Sequence, residues 1–165
     1  FETVFRRPGW VALWLAAAGL LLGAADRFFR GARELAALTW VDVLVIGSAQ
    51  ALALMPGVSR SGITIAAGLM LGIRRPEAAR FAFYLALPAI AGAVAVKGGD
   101  LAAAGPGVWA PTAAGTLAAA LSGWLVIRWL LRFLTTHSVT VFVVYRLGLA
   151  AAVLAWAAGT GVRLF

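Results

Sequence analysis

The chain has 165 residues, of which 63% are hydrophobic and 12% are charged. In soluble globular domains roughly a quarter of the residues are charged, so this composition excludes an ordinary soluble fold and predicts an integral membrane protein. The formal net charge is +8, but most of the basic residues flank apolar runs, which is typical of membrane topology. We therefore expect membrane lipid, and no nucleic acid, among its partners.

The apolar runs predict a single polytopic, all-α membrane domain over residues 1–165. They are rich in Ala, Leu and Val, and they lack the period-two alternation of a membrane β-barrel. Cysteine is absent, which excludes disulfides and thiolate chemistry. The sequence begins with Phe1 rather than Met, so we expect further sequence upstream of it.

Residues 9–25 form the first apolar run and predict a transmembrane helix at the short end of the usual range of about 17 to 25 residues. Charged residues bound the run on both sides, and two tryptophans lie near its start: Arg6, Arg7, Asp26, Arg27, Trp10 and Trp14. Residues 26–39 then mix arginine with phenylalanine and leucine. This mixture is typical of an interfacial loop or a short amphipathic helix.

Residues 41–73 differ from the other runs because Pro-Gly at positions 56–57 and Gly62 interrupt an otherwise apolar stretch. Helices over 41–55 and 63–73 would be about 22 and 16 Å long, which is less than a bilayer core of roughly 30 Å. We predict two half-spanning helices joined inside the membrane as a re-entrant hairpin. Its broken backbone would have to be buried in protein or line a wet cavity.

Three further crossings are predicted after the hairpin, at residues 81–96, 109–127 and 139–158. Pro88 should bend the first of them, and residues 97–106 are predicted to be a loop. The fold class is therefore all-α, with about four transmembrane helices and one re-entrant hairpin.

The distribution of basic residues predicts the orientation. If the hairpin enters and leaves on one side, that side carries Arg27, Arg30, Arg33, Arg74, Arg75, Arg80, Arg128 and Arg132, and the other carries Arg6, Arg7, Lys97 and Arg163. Positive charge favours the cytoplasmic side. The base of the hairpin is then cytoplasmic, and its tip faces the extracytoplasmic side.

The predicted tip carries Ser59, Arg60, Ser61 and Thr64. Arginine cannot discharge itself by losing a proton, and a cation at membrane depth is costly, so a functional role is expected. A helix beginning around Ile63 would direct free N–H groups and a positive dipole end at the tip, and Arg60 would add a planar fork that matches phosphate oxygens. The alternative is a capped turn, with Ser61 as N-cap and Arg60 paired with a carboxylate elsewhere; the membrane setting favours the phosphate site.

The same residues carry a resemblance to a family. Residues 50–64, QALALMPGVSRSGIT, resemble the second signature segment of the bacterial undecaprenyl-diphosphate phosphatases of the BacA/UppP family. Residues 79–88 resemble the helix that follows it in the family, and residues 144–148 resemble the terminal helix. The resemblance implies an enzyme of the bacterial inner (cytoplasmic) membrane that hydrolyses undecaprenyl diphosphate to undecaprenyl phosphate. That reaction recycles the lipid carrier of cell-wall synthesis and confers bacitracin resistance.

The resemblance also implies an inverted-repeat fold of which this chain looks like the C-terminal portion. It assigns catalysis to Ser59, Arg60 and Ser61, and substrate binding to Thr64, Gly57, Gly62, Gln50 and Arg146. Which group attacks phosphorus is left open. It further implies a divalent cation, Mg or Ca, whose ligands are expected in the first half of the repeat. A homodimer is also left open.

Two interpretations remain open for several residues. Arg146 interrupts a long uncharged run and is either a second phosphate contact or the partner of a carboxylate in the other half. Gln50 bonds either substrate or the broken backbone. His137 is expected to be an exposed loop residue rather than a base, and the carboxylates are expected to be solvated or to cap helices. The competing functional hypotheses are a lipid-phosphate or anion transporter or flippase with the same site, and a non-catalytic scaffold.

Overall fold

The computed structural model describes residues 7–29 and 31–160. Within these ranges six α-helices follow one another: α1 Pro8–Phe28, α2 Trp40–Gln50, α3 Arg60–Met70, α4 Arg75–Ala103, α5 Trp109–Thr136 and α6 Thr140–Thr160. Short 3-10 turns lie at Leu35–Ala37, Ala51–Leu54 and Pro106–Val108. The predictions made for Arg6, Arg30 and Arg163 lie outside the described residues.

Four of the helices, α1, α4, α5 and α6, are long and apolar enough to cross a membrane. The fold is therefore that of an all-α integral membrane protein with several crossings, as the composition predicted. Helices α2 and α3 have 11 residues each. At about 16 Å, neither is long enough to cross a core of roughly 30 Å.

The predicted loop over residues 97–106 is wrong, because α4 continues without interruption to Ala103. Lys97 and Asp100, which suggested the loop, form an i,i+3 ion pair at 3.1 Å on the helix surface, an arrangement that supports a helix. Charged residues therefore mark where the apolar run ends, whereas the helix ends later, just before Gly105 with its φ of +84°. Pro88 lies inside this helix.

Helices α2 and α3 form a hairpin whose two ends meet. Thr39 and Asp42 make a capping box at the start of α2. Arg33 donates to both carboxylate oxygens of Asp42, at 3.2 and 2.6 Å, and to the carbonyl oxygen of Leu71 just after α3, at 2.9 Å. One side chain thus joins the beginning and the end of the hairpin. Its re-entrant path relative to the membrane stays a prediction.

The hairpin packs against α1 and α4, and α1 packs against α6. A core cluster near the hairpin base includes Leu22, Ile46, Leu69, Ile73 and Val139. Helix α6 runs antiparallel to α1, because Val143 lies against Gly23 and Arg146 lies against Gly19. This close helix approach carries a cationic side chain from α6 toward the hairpin tip.

Candidate phosphate-binding site

The hairpin tip is built on a capped helix start. Helix α3 begins at Arg60 rather than around Ile63, because Ser59 is its N-cap and the Ser59 Oγ accepts a hydrogen bond from the Gly62 amide at 3.3 Å. The alternative of Ser61 as N-cap is therefore wrong. Ser59 has a φ of +59°, which a residue with a Cβ adopts only at some cost, and such strain is typical of functional sites.

Arg60 is the first residue of α3 and is exposed. It borders a cavity of about 690 Å³ together with Gln50, Ala53 and Ala89. Its guanidinium has no ion-pair or hydrogen-bond partner among the described residues. The positive end of the α3 dipole opposes a cation at this position, so Arg60 and the helix start together create a site that an anion would stabilise.

The loop before α3 is pressed against α1. Gly57 has a φ of +101°, and a Cβ added to it would lie 2.4 Å from the carbonyl oxygen of Val11. Only glycine accommodates both the dihedral angle and this contact. The substrate-binding role predicted for Gly57 is thus accompanied by a structural one, which is to fix the tip against the first helix.

The two hydroxyl groups farther along the motif differ. The Ser61 side chain is exposed, and its Oγ lies 3.5 Å from that of Ser59. Thr64 is only 1% exposed, and its hydroxyl lies 2.9 Å from the carbonyl oxygen of Arg60 and 3.2 Å from that of Ser61. The Thr64 hydroxyl therefore braces the first turn of α3, whereas the Ser61 hydroxyl is open to solvent.

Arg146 reaches the same tip from α6. A Cβ added to Gly62 would lie 2.5 Å from Arg146 Nη2 and 2.8 Å from Nη1, so the guanidinium rests directly on the backbone of α3. Arg146 is 9% exposed, and its Nη1 has no hydrogen-bond partner in the described part of the chain. Gly62 was predicted to serve tight backbone geometry; the structure places it inside α3, where it makes room for Arg146.

Three buried polar side-chain atoms have no partner within the described ranges, and all belong to residues around the tip. They are Arg146 Nη1, Gln50 Oε1 and Trp14 Nε1. Trp14 packs beside Met55 and Val58 of the loop. A buried polar group without a partner costs about 1–3 kcal/mol, so unused hydrogen-bonding capacity is concentrated in this region. The sequence suggested only a membrane-interface role for Trp14, because tryptophan is common at helix ends.

The described residues do not place an acid, a base or a metal ligand at the tip. All five described carboxylates are paired with basic residues elsewhere: Asp26 with Arg75, Glu34 with Arg74, Asp42 with Arg33, Glu77 with Arg74 and Arg80, and Asp100 with Lys97. Over residues 7–29 and 31–160, no three His, Asp or Glu side chains form a metal-binding group. The divalent cation implied by the resemblance was expected to have its ligands in the first half of the repeat, and that expectation stays a prediction.

His137 lies at the other end of the molecule from the tip, directly after α5. It is exposed, its Nδ1 is 2.8 Å from Thr136 Oγ1, and its ring stacks on Phe133 with centroids 4.3 Å apart. These contacts agree with the expectation of a surface histidine.

The fold and the site together define a class: a helical, multi-pass membrane protein in which two arginines without ion-pair partners among the described residues lie near the N-terminus of one short helix. The chain belongs to the family described as Bacitracin resistance protein BacA, which matches residues 1–152. The family resemblance inferred from residues 50–64 is thus confirmed.

Individual relatives carry a consistent name. The chain is 51% identical to a protein of Kineococcus radiotolerans named undecaprenyl-diphosphatase, over 94% of this chain and 55% of that protein. It is 46% identical to proteins of the same name from Gemmatimonas aurantiaca and Elusimicrobium minutum, over 93% of this chain and 57% and 58% of theirs. The chain therefore spans a little over half the length of these relatives.

Proposed function

We propose that this chain forms the phosphate-binding half of an undecaprenyl-diphosphatase, which hydrolyses undecaprenyl diphosphate to undecaprenyl phosphate and inorganic phosphate. The observation that carries the proposal is that Arg60 begins α3 and Arg146 contacts Gly62 in the first turn of the same helix, and that neither arginine has a carboxylate partner among the described residues. Relatives that share this chain's sequence are named for that activity.

The tip residues would act through binding and electrostatics. Arg60 would hold non-bridging oxygens of the diphosphate with its fork, and Ser59 and Ser61 would donate hydrogen bonds to them. As the nucleophile, water or a serine, forms its bond to the terminal phosphorus, the bond from that phosphorus to the bridging oxygen breaks. Negative charge then moves to the leaving undecaprenyl phosphate, and the fixed cations and the α3 dipole would stabilise that charge. Because no described residue at the tip can accept a proton, the general base and any metal ligands belong to residues outside this set.

We further propose that the hairpin is re-entrant and that its tip opens to the extracytoplasmic side of the bacterial cytoplasmic membrane. Arg74, Arg75, Arg80 and Arg132 line one cavity at the hairpin base, and a concentration of arginine is typical of a cytoplasmic end. A site at membrane depth suits a lipid diphosphate, because the polyprenyl tail can stay in the bilayer while the head group enters the cavity. An inverted repeat would place the remaining catalytic groups opposite this hairpin.

Substitution of Arg60 in the full-length protein tests the proposal. We expect Arg60→Ala to lower the rate of phosphate release from undecaprenyl diphosphate by about 100-fold or more, since loss of one transition-state contact costs that much. Arg60→Lys should keep only part of the rate because it preserves the charge without the fork. Arg128→Ala, an exposed arginine that stacks on Trp124, is the matched control and should retain the wild-type rate. Near-normal turnover of undecaprenyl diphosphate by Arg60→Ala would contradict the proposed function.

A transporter or flippase of lipid phosphate is the second candidate, favoured by the lack of a base at the tip among the described residues. It would need the same anion site. Proteoliposomes separate the two functions: an enzyme releases inorganic phosphate from undecaprenyl diphosphate, whereas a carrier moves the intact lipid phosphate between leaflets without releasing any.

A further inference from the structure

A second cavity, which we name the base cavity, lies at the end of the fold opposite the hairpin tip. Its volume is about 710 Å³, and it is bounded by the end of α1, the start of α4 and the end of α5. Four arginines line it, Arg74, Arg75, Arg80 and Arg132. No step proposed for the diphosphatase uses this cavity.

The charges around the base cavity do not cancel. Two carboxylates line it, Asp26 and Glu77, against the four guanidinium groups. Asp26 is paired with Arg75, Glu77 lies 3.3 Å from Arg80 and 3.7 Å from Arg74, and Arg74 is also bonded at 2.7 Å to Glu34, which does not line the cavity. Arg132 is exposed and forms no ion pair with any described residue. A positive excess therefore remains, and the N-terminal end of α4 adds to it.

Apolar side chains line the base cavity together with the basic ones. They are Phe29, Leu69, Leu131 and Leu134, and Phe29 is 42% exposed. The start of α4 and the end of α5 contribute to the lining, and both helices are long and apolar enough to cross a membrane. Basic and apolar side chains around one cavity match a phosphate head group that continues into hydrocarbon, and they match a free phosphate ion less well.

We propose that the base cavity binds the phosphate head group of an anionic membrane lipid. Arg132 supplies the free charge and the hydrogen-bond donors, and the acyl chains lie along α4 and α5. Basic pockets between transmembrane helices at the cytoplasmic face bind lipid head groups by this chemistry. Basic residues that served only to set topology would not have to converge on one cavity that apolar side chains also line.

Lipid binding by the full-length protein in detergent tests this proposal. Native mass spectrometry would measure retention of phosphatidylglycerol, with phosphatidylcholine as the lipid without net charge. We expect Arg132→Ala to weaken phosphatidylglycerol retention about tenfold, because it removes a charge-assisted hydrogen bond. Arg128→Ala, one turn earlier on the same helix face, should have no effect, because Arg128 stacks on Trp124 instead of lining the cavity.

Further variants and a competition experiment with inorganic phosphate distinguish the proposal from its alternatives. Arg132→Lys should keep most of the binding, and all variants should keep the wild-type unfolding temperature and rate of phosphate release. Equal retention of phosphatidylglycerol by Arg132→Ala and the wild type would overturn the proposal, and so would equal losses in Arg132→Ala and Arg128→Ala. Displacement of the lipid by an equal concentration of inorganic phosphate would reveal a free-anion site and would also contradict it.

Discussion

Gly62 has no side chain at the point where Arg146 of α6 crosses α3, and this gap lets a guanidinium from the end of the chain reach the hairpin tip. Arg60 reaches the tip from within the hairpin itself. The two arginines are far apart in sequence, and they reach the tip from different helices. The proposed anion site is therefore a product of helix packing as well as of a local motif.

Gly62→Ala should disturb this arrangement selectively. The added Cβ would lie 2.5 to 2.9 Å from atoms of the Arg146 guanidinium, and the flexible side chain can move away at little cost to the fold. We expect phosphate release by the full-length protein to fall about tenfold or more, with an unchanged unfolding temperature. Gly148→Ala is the matched control, because a Cβ there meets nothing within 4 Å. Wild-type kinetics in Gly62→Ala would show that Arg146 is not needed at this position.

At the scale of residues, the sequence predicted a functional role for Arg60, Ser59 and Ser61, because a cation and hydroxyl groups within an apolar stretch are costly unless they have a function. It could not reveal that Ser59 adopts a positive φ, or that Thr64 bonds the backbone, since both depend on where α3 begins. The unpartnered Nε1 of Trp14 was not predicted, because tryptophan is common near helix ends at membrane interfaces.

At the scale of elements, the hairpin is held at its base by a single arginine. Arg33 bonds Asp42 in α2 and the carbonyl of Leu71 after α3, and its backbone pairs with the strand-like segment around Ile73. Hydrogen bonds from the Arg33 side chain, together with those from Thr39, hold the pKa of Asp42 well below its usual range. Asp42 lies at the hairpin base, near the start of α2 and outside the four helices long enough to span a membrane.

The lowered pKa of Asp42 predicts a stability difference that depends on pH. A carboxyl group whose pKa is lower when folded stabilises the fold above its unfolded pKa of about 3.9, and the contribution is lost as pH falls through the folded pKa. The wild type should therefore unfold at a higher temperature than Asp42→Asn between about pH 5 and 7. The difference should shrink below about pH 4.

Thermal unfolding of both variants over this pH range checks that prediction. Asp100→Asn serves as control, since Asp100 is exposed and pairs only with Lys97. A difference between the wild type and Asp42→Asn that stays constant down to pH 3 would mean that the Asp42 charge does not hold the hairpin base.

The hairpin itself could be predicted from segment lengths, because two short apolar helices around Pro-Gly cannot cross a bilayer separately. The extent of α4 could not be predicted in this way. In the sequence Lys97 and Asp100 end the apolar run, whereas in α4 they lie about one turn apart and form an ion pair.

At the scale of the whole molecule, the two ends carry different chemistry. The tip holds unpaired cations and unsatisfied polar atoms, and the base holds the ion pairs and the cluster of arginines. The later part of α4 and most of α5 are exposed; in a membrane these faces contact lipid or another part of the protein. Hydropathy predicted the class and the number of crossings, but it carries no information on which helices pack together.

The distribution of the described carboxylates predicts that the residues of this chain alone are not sufficient for catalysis. Because every described carboxylate is paired away from the tip, we expect a polypeptide limited to residues 1–165 to release phosphate from undecaprenyl diphosphate at less than about 1% of the full-length rate, since general acid–base catalysis alone contributes about 100-fold or more. Comparison of the two purified proteins by phosphate release checks this. Comparable rates would show that the tip residues are sufficient for catalysis.

The central claim, that Arg60 and Arg146 hold one diphosphate together, is tested most directly by a double-mutant cycle on kcat/KM in the full-length protein. We predict that Arg60→Ala and Arg146→Ala each lower kcat/KM by about 100-fold, and that the double variant loses less than the product, because residues sharing a ligand are coupled by roughly 0.5–3 kcal/mol. Near-wild-type kinetics for Arg146→Ala, or losses that simply multiply, would contradict the account.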